Sequence, residues 1–84
     1  MHTEDIARMT ETDRAEFIRA LGYSFDHFGF TSRIHIELEY NQRKAFFLVC
    51  AVEDGDIPIS AISDQAWNSI GALNETILEW MRKR

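Results

Sequence analysis

The sequence predicts an α+β fold with the order α-β-β-(β)-α: a small antiparallel β-hairpin or three-stranded sheet packed with two helices. Three observations predict it. The segment "RIHIELEY" alternates strictly between polar and apolar residues, the period of a half-buried strand. The next segment, "KAFFLVCAVED", carries an unbroken apolar run over residues 45–52, as a strand covered on both faces would. Before and after them, apolar residues recur at helical spacing. A chain of 84 residues fits one domain, residues 1–84.

The first helix starts at Thr3, Thr10 or Thr12, each a capable N-cap. Phe17, Ile18, Leu21, Phe25 and Phe28 then share one face. Asp13 and Glu16 lie near the start, where the helix dipole favours negative charge. Gly22 weakens the interior by about 1 kcal/mol relative to alanine. Gly29 suits the left-handed residue after a helix end. Residues 3–9 form a separate turn of helix in this reading.

Strand one covers residues 33–40. Ile34, Ile36, Leu38 and Tyr40 face one way, and Arg33, His35, Glu37 and Glu39 the other. A turn at Asn41-Gln42 leads into strand two, from Arg43 or Lys44 to Glu53. "EDGD" with Gly55 is the next turn. Ile57-Pro58-Ile59 is a short third strand, which Pro58 restricts to an edge. Ser60 or Ser63 caps the last helix. Its buried stripe is Ala66, Ile70, Leu73, Ile77, Trp80 and Met81, and Arg82, Lys83 and Arg84 close it.

In either hairpin register, strand two keeps an apolar row on its second face. Three covers are open: the chain's own helices, a second copy in a homodimer, or a different protein. The reading favoured for function is a small acidic non-catalytic protein-binding module acting through that face, with a homodimer as one form of it. Its contact residues are Phe46, Phe47, Leu48, Cys50 and Val52, rimmed by Glu53, Asp54 and Asp56. Central aromatics of this kind dominate interface energies. The element order and acidic balance are similar in outline to the small chaperones of bacterial secretion systems and to short inhibitor proteins of phages. Those likenesses imply an inhibitor, adaptor or chaperone role, of phage or bacterial type.

The chemistry-bearing residues point elsewhere only weakly. Cys50 is the sole cysteine, so no internal disulfide forms and a cytoplasmic location is expected. As a nucleophile it needs a base or a positive neighbour, and Arg33 and His35 are the candidates. That gives one alternative, a thiol-based small enzyme. His2, His27, His35 and Cys50 lack zinc-ligand spacing, and "EDGDIP" lacks the distal ligands of a calcium loop; no metal or cofactor is expected. Arg33, Arg43 and Lys44 near Phe46 and Phe47 suggest a second alternative, a nucleic-acid module stacking bases on the hairpin. The net charge of −5 opposes it. Asn74-Glu75-Thr76 matches a glycosylation sequon but falls in a predicted helix. The first ten residues carry Glu4, Asp5 and Arg8 and no apolar core, so no signal peptide is expected. Nor does any apolar stretch approach the roughly 20 residues of a membrane span.

Overall fold

The computed structural model describes residues 8–27, 29 and 37–83. Among these the chain is helical and has no strand. Helix α1 is Glu11–His27, α2 is Tyr40–Glu53 and α3 is Asp64–Arg82, with a 3-10 turn at Ile59–Ala61 between the last two.

Local chemistry sets each boundary. Thr10 caps α1: its Oγ1 accepts from the Asp13 N–H at 3.1 Å, and Glu11 and Asp13 occupy the first turn. Gly29 stands just past the helix with φ +61, a conformation that costs glycine little. Helix α2 starts at Glu39, which forms a capping box with Gln42. The Glu39 N–H donates to Gln42 Oε1 at 3.3 Å. The amide nitrogen of the same Gln42 donates to Thr76 Oγ1 on α3 at 2.8 Å, so one side chain caps one helix and tethers another. A Schellman motif ends α2. The Gly55 N–H bonds Val52 O at 3.1 Å and the Asp56 N–H bonds Ala51 O at 2.8 Å, with Gly55 at φ +81. Ser63 caps α3 through a 3.2 Å bond from the Ala66 N–H. Glu79 and Lys83 pair near its end at 3.5 Å.

The core joins all three helices. It contains Ile18, Leu21 and Phe25 of α1, Ala45 and Val49 of α2, and Trp67, Ile70, Leu73 and Ile77 of α3, closed by Leu38 and Ile62. Gly71 is buried among the α3 residues. Phe25 and Phe46 join α1 to α2, their rings 4.5 Å apart. Arg14 of α1 lies over the Trp67 ring at 5.0 Å, a cation–π contact.

The α+β expectation is therefore overturned. Residues 33–36 of the expected first strand lie outside the described residues, as do Phe28 and residues 3–7 of the expected N-terminal turn. The rest of strand one is not extended sheet: Leu38 is buried core, Glu39 is the cap and Tyr40 opens α2. The Asn41-Gln42 hairpin turn and the whole of strand two are one continuous helix. Physically, a short apolar run has no period of its own, so it fits a buried strand and a buried helix equally well. No glycine follows Asn41 to force a turn, whereas the Glu39–Gln42 box starts a helix. The third strand is also absent. Pro58 is extended at φ −76 and ψ 150 but leads into the 3-10 turn. With the sheet gone, the outline likeness to secretion chaperones and phage inhibitors loses the element order on which it stood. Both end helices lie where the spacing predicts; Ile18, Leu21 and Phe25 face inward on the first, and Ile70, Leu73 and Ile77 on the last, which also buries Trp67. Ser63, of the two candidates, caps the last one.

Candidate interaction surface

At 3.6 residues per turn, eight successive apolar residues cover a helix all the way round. Helix α2 distributes them accordingly. Ala45 and Val49 face the core and are fully buried. Phe46 and Cys50 turn toward α1, and Leu48 toward α3. Val52 sits against Ala15, Ile18 and Ile59. Phe47 is left outward, 58% exposed, and Tyr40 two turns earlier is 66% exposed. The expected contact residues thus do not share one face. Phe46, Leu48, Cys50 and Val52 are half-buried by the chain's own elements. Phe47 stands out, and Glu53, Asp54 and Asp56 are exposed at the helix end.

Two grooves flank this outward strip. One, about 590 Å³, runs between α2 and the start of α3, with Ala45, Leu48 and Ala66 as floor and Asn41, Lys44 and Gln65 on its rim. The other, about 470 Å³, lies between α1 and α2. Phe25 and Phe46 line it with Cys50, and Asp26, Glu53 and Asp54 outnumber its one cation, Arg19. The stem of Glu53 crosses here over Gly22, where an added Cβ would lie 3.1 Å from Glu53 Cγ.

Apart from the capping Glu39, the charges within α2 run against its own dipole. Arg43 and Lys44 sit near the N-terminus, and Glu53, Asp54 and Asp56 at or beyond the C-terminus. The first turn holds no acid and the last no base. A helix alone prefers the reverse, by about 0.3–1 kcal/mol per charge. Lys44 Nζ lies 4.9 Å from the Tyr40 ring centroid.

Cys50 is half-buried. Burial pushes its thiol pKa up, and the carboxylates of Asp54, Asp26 and Glu53 push it further the same way. A reactive cysteine needs the opposite surroundings. Arg33 and His35, the expected activators, lie outside the described residues. Among the described residues, no group of three or more histidine, cysteine, aspartate or glutamate side chains could hold a metal ion. No helix among them is long and apolar enough to cross a membrane. His27 is exposed and stacks on Tyr23 with ring centroids 5.5 Å apart. Thr76 of the sequon accepts the Gln42 bond.

Sequence reasoning missed Tyr40 as a surface aromatic, because the strand reading turned it inward. It also missed Trp67, 1% exposed and among the largest fully buried side chains. Trp67 lies three residues before Ile70 and so belonged to the same stripe. Among the described residues, these features define three helices around one core, with an aromatic strip on α2. No family model matches the chain, and no curated protein or solved structure does.

Proposed function

We propose that this chain is a small non-catalytic protein-binding module of the cytoplasm, docking through the outward strip of α2. Phe47 is the anchor, Tyr40 extends it, and the charges at the two ends of α2 form the rim. The observation that carries this reading is Phe47, largely exposed at the centre of a helix whose other apolar residues, Tyr40 apart, are sheltered. Covering such a side chain contributes about 1–2 kcal/mol gross, and aromatic anchors ringed by polar groups are the usual energetic centres of interfaces. The raised thiol pKa of Cys50 weighs against the thiol-enzyme alternative. The nucleic-acid alternative loses its flat stacking platform with the sheet, and the acidic net charge opposes it.

The test compares the wild-type chain with Phe47→Asp, both shown to be folded by circular dichroism. Protein contacts, whether to itself or to captured partners, should vanish in the variant. If the variant keeps the same mass in solution and the same captured proteins, the strip is not the docking site.

A further inference from the structure

We infer that the groove between α1 and α2 receives an arginine side chain of a partner protein, its guanidinium held by the Tyr23 ring and the carboxylates of Asp26, Glu53 and Asp54. This rests on the docking reading above and names the chemistry of the partner. The groove, about 470 Å³, combines two kinds of lining. Phe25, Phe46 and Tyr23 give it aromatic surface, and three carboxylates stand against the one cation, Arg19. Those carboxylates are exposed. Among the described residues, none of them lies within ion-pair distance of a cation. Nearby charges do not cancel them. Arg43 stands one turn before Phe46 and about 15 Å along α2 from Glu53. Even with His27, stacked on Tyr23, counted as a cation, the carboxylates keep the majority, and Asp56 lies just beyond Asp54.

The arrangement selects among cations. Burial, and then the carboxylates of Asp54, Asp26 and Glu53, push the Cys50 thiol up, so negative charge from both helices reaches one point of the lining. Yet among the described residues no three acidic, histidine or cysteine side chains close tightly enough to hold a metal ion. Carboxylates spread in this way suit an extended organic cation. A guanidinium is planar, offers a fork of N–H donors and stacks on aromatic faces, whereas an ammonium is a compact point charge. Tyr23 presents such a ring, 66% exposed. Cation–ring contacts already occur within the chain, Arg14 over Trp67 at 5.0 Å and Lys44 over Tyr40 at 4.9 Å. The groove also borders the strip: Phe46 of its lining meets Phe47 edge to face, ring centroids 5.9 Å apart. A protein surface seated on Phe47 therefore has the groove at its margin, within reach of a long side chain.

The probe is the blocked tripeptide acetyl-Gly-Arg-Gly-amide, titrated into the isotope-labelled full chain and followed by amide chemical shifts. Its lysine and citrulline counterparts are compared with it, since citrulline keeps the shape of arginine without the charge. The arginine peptide should bind with a dissociation constant on the order of millimolar, and its shifts should concentrate at Gly22, Tyr23, Cys50 and Asp54. The lysine peptide should bind about threefold more weakly, and the citrulline peptide should not saturate. Asp26→Asn and Asp54→Asn should each weaken arginine binding by about three- to fivefold, and together by about tenfold. Glu11→Gln and Glu79→Gln remove the same net charge outside the groove and should leave binding unchanged. Circular dichroism checks that each variant is folded. The proposal is overturned if no saturable shift appears at the groove, if citrulline binds as well as arginine, or if remote and groove variants weaken binding equally. Phe47→Asp separates this site from the strip. If the tripeptide fails to bind while Phe47→Asp abolishes protein contacts, the arginine site falls and the strip stands. If the tripeptide binds in the groove and Phe47→Asp keeps its captured proteins, the strip falls and the arginine site stands.

Discussion

Phe47 and Trp67 are both large aromatics on amphipathic helices, and their surroundings give them opposite duties. Trp67 is 1% exposed and carries the Arg14 contact, and its Nε1 is buried without a hydrogen-bond partner. That orphan donor costs about 1–3 kcal/mol, which the packing of the indole outweighs. Trp67→Ala should therefore lower stability by about 3–5 kcal/mol, most of the margin of a small domain, whereas Phe47→Ala should change it by about 0.5 kcal/mol or less. Urea melts read both, and equal losses would contradict the burial pattern. Cys50 gives a second test at this scale. Its folded pKa is raised above that of an unfolded thiol. Between those two values the unfolded chain binds fewer protons, so stability present at neutral pH declines as pH rises through that window. Cys50→Ser should flatten the decline. The native thiol should react slowly at pH 7 and quickly in denaturant, and fast native labelling would show an activated thiolate instead.

At the level of elements, α2 shows what the sequence could and could not disclose. α1 and α3 were legible because their apolar residues recur at 3.6-residue spacing between recognisable caps. α2 was not. Ala45 through Val52 have no periodicity to read, and the alternation of "RIHIELEY" runs directly into its cap at Glu39. Its one strong signal was the Glu39–Gln42 pair, an unusual box with glutamate in the place normally held by serine or threonine. The acidic turn was located correctly, and Gly55 does reverse the chain, but as a helix stop. The candidate site was half legible for the same reason. The terminal carboxylates lie on the surface in either fold, whereas the sheet reading left open which of Phe46 and Phe47 faces outward; the helix hides Phe46 against Phe25 and leaves Phe47 and Tyr40 exposed. The glycines make this testable. Gly55→Ala should destabilise by about 1 kcal/mol, because its φ of +81 suits glycine alone. Gly22 has no such conformation. Gly22→Ala should stabilise α1 by up to about 1 kcal/mol, since the exposed stem of Glu53 can yield the few tenths of an ångström needed. Thermal melts that reverse these signs would refute the assignment of either glycine.

For the molecule as a whole, three helices share a single core, and α2 makes contacts with both of the others. Its inner face and its two sides are therefore packed within the chain, and its outer strip is exposed. A domain of 84 residues has a high ratio of surface to volume, and among the described residues most large apolar side chains face inward. Among the described residues, Tyr23, Tyr40, Phe47 and Leu78 are the exceptions, and two of the four stand on α2. Gln42 adds a further consequence. Its carbonyl oxygen completes the start signal of α2 while its nitrogen holds Thr76 of α3. The Thr76 bond adds its hold on the amide once α3 has docked. The middle helix should thus be a poor autonomous folding unit, gaining its N-terminal turn late, after the last third of the chain has arrived. During synthesis it would wait for α3 to emerge before settling.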